Sequence, residues 1–588
     1  MTPGLSQVSK TPRKGRFSLA ATLAGTGAVL LVLSWLTTEH FLPWVSWHAE
    51  ALIFFAVLLP AWTATVARWR TAPSHRVPVP SIVLPFGLFA LVALVQLLTG
   101  VMTFGGDTVV VWFYAGLCIA CLILGFNSDA ALEAGPPGKP AGRWSAVDWL
   151  ALAFVVGTIA SVVVAFAQVF DLWEYSARIV RMSDLRRPGG NLAQPNQLAT
   201  LLVMGIASVA YLHLSGRLSA LAAVAICIFL GAGLAATESR SGVLGLVALL
   251  IWWQFKRPAI AATRSRWLAP AAAEVFLAMF LAWPHLLDSM QLLEGRPDSR
   301  LTQGDLRLAV WTQLLEAVWQ RPWWGWGILE VAKAHNSVAH AHAVNNPFSY
   351  SHNLVLDWAV WMGLPIALVL TSATAVWLWR RVKAVNRLTP WYCLAVAVPL
   401  ATHSMVELPF AYAYFLAPAL FLLGVLEASL RVKPVANIGL KPILAGLLVL
   451  SAAMIWSVAE YFAIEEDFRI VRFEQLRIGR TAADHHRPEV FMLTQLGALL
   501  SGSRVELRPD MSPEDMEQLK KLALRYPWVA TQYRYALALA LNGQQPEALR
   551  QFQVIRRQRD EKLYERIRKE ISELAKSRYP QLRTLALP

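Results

Sequence analysis

The chain has 588 residues, of which 56% are apolar and 15% charged, with a mean hydropathy of +0.45. That balance excludes an ordinary soluble globular protein, and recurrent apolar runs of about 20 residues indicate a polytopic helical membrane protein. The net charge of +15 does not point to nucleic acid, because the basic residues are interleaved between hydrophobic runs as topology determinants are.

In chain order the predicted spans are 17–37, 51–67, 80–100, 108–125, 147–170, 196–214, 218–236, 242–255, 267–287, 354–379, 391–408, 411–430 and 441–463. This makes an all-α chain of about 12–13 transmembrane helices. The run from Phe17 lacks a small-residue cleavage site and reads as a retained helix. The run 242–255 is short enough to be tilted or broken.

Basic residues set the expected orientation. Lys10, Arg13, Lys14 and Arg16 precede the first span. Arg68, Arg70, Arg76, Lys139, Arg143, Arg217, Lys256, Arg257, Arg264, Arg266, Arg380, Arg381, Lys383, Arg387, Arg431, Lys433 and Lys441 fall in even-numbered connections, which include the Gly/Pro-rich linker 135–138. The first, third and eleventh connections carry no Lys or Arg. By the positive-inside rule the N-terminus is cytoplasmic, and the odd connections and the C-terminal region lie outside.

The polar chemistry gathers in those odd connections. The fifth holds Arg178, Arg181, Arg186, Arg187 and then Pro-Gly-Gly-Asn-Leu-Ala-Gln-Pro-Asn-Gln up to Gln197; the seventh is Thr237-Glu238-Ser239-Arg240-Ser241-Gly242. The ninth, 288–353, carries Arg307, a Trp-rich turn at 322–327 and the histidines 335, 340, 342 and 352. The eleventh is His403-Ser404-Met405-Val406-Glu407-Leu408-Pro409. Beyond the last span, residues from about 465 to 588 are charged and amphipathic. Two helical runs within 527–557 break at Asn542-Gly543, and the spacing of Ala536, Ala548 and Phe552 fits one tetratricopeptide-like helix pair or equally a generic helical hairpin.

Arg240, at the boundary of two helices, and Arg307 are each ordinary in isolation as snorkelling or solvated arginines. Together on one face they suit a pyrophosphate, because the guanidinium fork binds phosphate oxygens bidentately and keeps its charge. His335, His340 and His342 match no standard metal-ligand spacing and have no acidic residue or cysteine among them. Cys118, Cys121, Cys227 and Cys393 all fall inside apolar spans and read as small hydrophobes. His352, at the point of re-entry into an apolar run, is a candidate general base or equally a helix-terminus histidine. His403 and Glu407 are spaced to share one helical turn, and Asn196 is a candidate helix cap.

Ser239-Arg240-Ser241-Gly242, Arg307 with Trp311, Pro322 with Gly325-x-Gly327, and Ser351-His352-Asn353-Leu354 through Gly363-Leu364-Pro365 resemble the O-antigen ligase/Wzy_C superfamily. Residues 187–196, His403-Ser404-x-x-Glu407-x-Pro409, Pro43-Trp44 with Glu50 and the C-terminal helical region resemble its subgroup of bacterial protein O-oligosaccharyltransferases. The resemblance implies a glycosyltransferase of the GT-C type in the bacterial inner membrane. It would transfer a preassembled glycan from undecaprenyl pyrophosphate to Ser or Thr hydroxyls of periplasmic or pilin-like proteins, with inversion and without metal or other cofactor. Carried over by position, Arg240 and Arg307 bind pyrophosphate and His352 is the essential loop histidine; Arg187, Gln194, Asn196, His403 and Glu407 join the donor and glycan contacts. The other three loop histidines receive no role.

The expected domains are an N-terminal transmembrane region 1–195, a ligase-like transmembrane region 196–463 that includes the loop 288–353, and a periplasmic helical domain 464–588. Rival acceptors are a lipid A core sugar or a growing glycan end. A transporter or flippase is disfavoured because its ionisable groups would sit near the bilayer midplane. A scaffold would leave Arg240, Arg307 and His352 unexplained.

Overall fold

The computed structural model describes residues 19–71, 75–128, 144–182, 187–260, 268–292, 302–342, 346–481 and 485–588. Lys10, Arg13, Lys14, Arg16, Lys139, Arg143, Arg186, Arg264, Arg266 and the linker 135–138 lie outside them. Every predicted span meets a helix: α1 (Leu19–Leu36), α2 (Trp47–Thr71), α3 (Leu84–Leu98), α4 (Gly105–Phe126), α5 (Ala146–Val169), α6 (Pro195–Leu214), α7 (Ala220–Thr237), α8 (Arg240–Lys256) and α9 (Leu268–Ser289). After α10 (Thr302–Gln320) and α11 (Val331–Ala339) in the long loop come α12 (Leu354–Met362), α13 (Leu364–Ala384), α14 (Leu388–Ser404), α15 (Ala413–Ser429) and α16 (Leu440–Leu476). The C-terminal region adds α17 (Thr494–Arg504), α18 (Pro513–Arg525), α19 (Val529–Leu541), α20 (Gln545–Gln558) and α21 (Glu561–Ser577).

Among the described residues, eight helices are long and apolar enough to cross a membrane by length and composition. The chain is an all-α polytopic membrane protein. Helix starts follow local chemistry. Ser145 and Asp148 form a reciprocal capping box, and the Ser219, Ser239 and Asn353 side chains accept N–H groups of the turn they open. Helix α6 is almost entirely buried, packed against α5, α7, α8 and α14, and so forms the centre of the bundle.

Four features depart from the sequence reading. The run 354–379 is two helices: Gly363 adopts φ 80° between α12 and α13, and Leu364 N–H donates to Pro322 O at 2.7 Å, so the Trp-rich turn wedges into the break. The run at 242–255 is a single uninterrupted helix of 17 residues, α8. Helix α16 continues to Leu476, well past the expected boundary at 463. Two short strands, β1 (Arg76–Val79) and β2 (Ala436–Gly439), pair antiparallel with Arg76 opposite Gly439. That ribbon places the second and twelfth connections together at one end of the bundle, the end where Arg381 meets Glu427 and Arg217 meets Asp148.

The C-terminal helices are fastened to the opposite end. The Glu460 carboxylate accepts N–H groups of Phe491, Met492 and Leu493 at 2.7–3.2 Å, which ties the start of α17 to α16. Arg525, closing α18, makes a bidentate pair with buried Asp107 of α4 at 2.7 and 2.9 Å. The α19–α20 hairpin turns at Asn542-Gly543 as expected, with Ala536, Ala548 and Phe552 fully buried in the core of this region.

Candidate active site

At the end of the bundle away from the ribbon, Glu407 is the meeting point of four connections. It lies three residues beyond α14, is only 6% exposed, and accepts an N–H of Arg307, which precedes the buried face of α10. Its other oxygen lies 2.7 Å from Nδ1 of His352. Asn196, in the first turn of α6, donates from Nδ2 to Glu407 at 3.4 Å, and Asn196 Oδ1 accepts the Ser239 hydroxyl at 2.8 Å. Burial alone would raise the Glu407 pKa; the His352 hydrogen bond, with the charges of His352, Arg307 and His403, outweighs it and holds the carboxyl below its ordinary value. Glu407 is therefore an anion at neutral pH.

His352 is half-buried and sits at φ 61°, in the left-handed region that non-glycine residues seldom occupy. Its neighbours explain how that conformation is held. The Ser351 N–H donates to Oδ1 of Asp357 at 2.7 Å, and the Ser351 carbonyl accepts the Trp311 indole N–H at 2.8 Å. On the other side, Asn353 caps α12 through Val355 N–H and Leu356 N–H while its own amide donates to Met405 O at 3.1 Å. Trp311 is one helical turn beyond Arg307, so the helix that delivers Arg307 also clamps the backbone beside His352. Phe348 packs edge-on against the His352 ring at 5.5 Å. With the carboxylate accepting from Nδ1–H, the Nε2 lone pair is the basic atom left for chemistry.

The other predicted residues divide. Arg240 opens α8 directly after its cap Ser239, and so stands beside the Asn196–Glu407 chain of hydrogen bonds; its side chain is exposed. Arg187 is engaged with protein: it donates to the Thr237 carbonyl at 2.8 Å and to Asn196 and the Glu238 carbonyl at 3.3 Å, satisfying the open C-terminal end of α7. Gln194 is the N-cap residue of α6 without a side-chain capping bond, and Asn196 is not a cap, because its amide is spent on Ser239, Arg187 and Glu407. His403 and Glu407 do not pair through their side chains. Helix α14 ends at Ser404, which turns Glu407 toward His352, while His403 Nδ1 meets Thr200 Oγ1 at 2.7 Å inside the bundle.

Two of the remaining loop histidines have protein partners. His335 is buried with Nε2 on Gln313 Oε1 at 3.0 Å and Nδ1 on the Gln558 amide at 3.3 Å, and His342 pairs with Glu316 at 2.7 Å. Asp357 and Thr200 escaped the sequence reading. A carboxylate inside the apolar run 354–362 was the available signal for the first; nothing local marked the second.

Residues 225–371 match the family described as O-Antigen ligase, and residues 391–567 match "Virulence factor membrane-bound polymerase, C-terminal". Residues 188–213, which lead through Arg187's partner Asn196 into α6, match "Protein glycosylation ligase". The chain is 24% identical over 547 residues to a general O-oligosaccharyltransferase of Acinetobacter baylyi, covering 90% of this chain and 91% of that protein. It is 28% identical over 249 residues to a ComP-specific O-oligosaccharyltransferase of the same organism, covering 41% and 44%. Over most of its length the chain is similar to a bacterial O-oligosaccharyltransferase, and in residues 225–371 to the O-antigen ligases.

Proposed function

We propose that this enzyme transfers a preassembled glycan from undecaprenyl pyrophosphate to Ser or Thr hydroxyls of periplasmic or pilin-like proteins, at the end of the bundle that faces the periplasm of the inner membrane. The observation that carries the reading is the buried Glu407 carboxylate holding both Arg307 and His352. One anion thereby fixes a candidate base and a candidate leaving-group clamp side by side.

In this scheme His352 Nε2 takes the proton of the acceptor hydroxyl as its oxygen attacks the anomeric carbon. The bond to pyrophosphate breaks in the same displacement, so the anomeric configuration inverts. Glu407 fixes the tautomer and stabilises the imidazolium that forms. Arg307 spends one of its five N–H donors on Glu407 and offers the rest to pyrophosphate oxygens, with Arg240 supplying a second cation. Arg187, Asn196 and Ser239 hold the α7–α8 turn that carries Arg240, so their role in donor binding is to position it. Gln194, the N-cap residue of α6, and His403, in the last turn of α14, lie beside this cluster. The scheme routes no step through a metal.

The reading of the acceptor as protein rests on the relatives and on the C-terminal helical region docked against the catalytic loop. Glycopeptide mass spectrometry of the periplasm from wild-type and deletion strains tests it. Loss of Ser/Thr-linked glycopeptides on deletion supports a protein acceptor, whereas unchanged glycopeptides with loss of long O-antigen would make this an O-antigen ligase.

A further inference from the structure

Helix α10 presents two apolar faces. One, Val310, Leu314, Ala317 and Val318, is buried against α11 and α12. The other, Leu308, Leu315 and Trp319, continues into Trp323 and Trp324, and these five side chains are between 48% and 75% exposed. Among the described residues no other element covers this second stripe. Polar groups border it: Glu316 pairs with His342, and Gln320 accepts from Ser337.

The position of the helix indicates what does cover it. Near its N-terminus Arg307 is bound to Glu407, just beyond the end of α14. After its C-terminus, Pro322 O accepts from Leu364, the first residue of α13, and Trp324 O accepts from Gln96 near the end of α3. Helix α10 is about 28 Å long at 1.5 Å per residue. Pinned at both ends to the termini of spans, it runs across that end of the bundle and does not project from it. Helix α3 exposes Leu91, Val95 and Leu98 on its own outward face, so a lipid-facing surface already reaches the point where Trp324 docks. Amphipathic helices with tryptophans on the apolar side lie in the boundary between headgroups and acyl chains.

We infer that α10 is an interfacial helix seated in the bilayer leaflet at the site-bearing end, with Leu308, Leu315, Trp319, Trp323 and Trp324 inserted into lipid. The consequence is that Arg307 is held at headgroup depth, where the pyrophosphate of a lipid-linked donor sits. That consequence rests on the proposed function. The depth itself does not, so the two can fail separately.

Site-directed spin labelling measures the depth. Cys118, Cys121, Cys227 and Cys393 are replaced by Ala, and single cysteines are introduced as Leu315→Cys, Trp319→Cys and Glu316→Cys. The labelled proteins are reconstituted in nanodiscs of phosphatidylethanolamine and phosphatidylglycerol. Power saturation with oxygen and with a water-soluble nickel chelate is expected to show oxygen access dominating at 315 and 319 and nickel access dominating at 316. Nickel dominance at 315 and 319 would place the stripe in water and overturn the inference. Exclusion of both agents there, as when a second copy or another protein covers the stripe, would overturn it too. Leu308→Cys reports on the same stripe if Trp319→Cys does not yield a monodisperse protein.

Discussion

Glu407 Oε2 lies 2.7 Å from His352 Nδ1 while the other oxygen of the same carboxylate holds Arg307, so the histidine and the arginine are fixed by one buried anion. Replacing Glu407 with Gln keeps the size but removes the charge and puts an amide N–H where one of these donors now points. The expected result is a fall of about 10²-fold or more in kcat, from loss of a correctly oriented base. Steady-state transfer kinetics with purified enzyme and lipid-linked donor measure it. A Glu407→Gln enzyme with unchanged kcat would separate Glu407 from the histidine's function.

Arg307→Lys preserves the positive charge and loses the planar fork. A charge-assisted hydrogen bond is worth about 1.5–3 kcal/mol, so catalytic efficiency should fall roughly 10- to 10²-fold. The same kinetics with varied donor check this, and full activity in the lysine variant would argue against bidentate contact with pyrophosphate.

Asp357 acts one step further out, on the backbone that precedes His352. Asp357→Leu leaves the buried Ser351 N–H without its acceptor, at a cost of roughly 1–3 kcal/mol. The left-handed turn at His352 should loosen and kcat should drop, with donor KM changing less. Asp357→Asn retains an accepting oxygen and is expected to recover part of the loss. Equal kcat in the wild type and the leucine variant would remove Asp357 from the positioning of His352.

His335 makes the docking of the C-terminal helices sensitive to acid. Burial, and then the charge of His342, push its pKa from 6.5 down to about 4, because the ring is wedged neutral between Gln313 and Gln558. The unfolded chain therefore binds the proton more readily than the folded one. The stabilisation is complete above about pH 6.5 and is lost as pH falls from there toward 4, in total roughly 3 kcal/mol. Thermal unfolding between pH 7.5 and 4.5 should show the wild-type Tm falling more steeply than that of His335→Gln.

The bundle was legible because burial in lipid forces long apolar runs, and each predicted span meets a helix. The break at Gly363 carries local marks in Gly363 and Pro365, but the Trp-rich turn some forty residues earlier that bonds into it was not legible. Arg307 stood out in the long ninth connection, and His352 and Glu407 as polar residues at span ends, but their meeting did not. Spacing suggested a His403–Glu407 pair, and only the end of α14 at Ser404 shows why Glu407 turns away from it. Asn196 likewise looked like a cap and is instead a side-chain link between Ser239, Arg187 and Glu407. Tertiary contacts of this kind leave no periodic trace in the sequence.

Glycan transfer by purified His352→Ala, reconstituted with an undecaprenyl-pyrophosphate-linked glycan and a Ser-containing acceptor protein, tests the account most directly. The predicted rate is lower than wild type by about 10²- to 10⁴-fold, the usual contribution of a positioned general base, with the donor still bound and the protein monodisperse. Transfer at a near wild-type rate would contradict it.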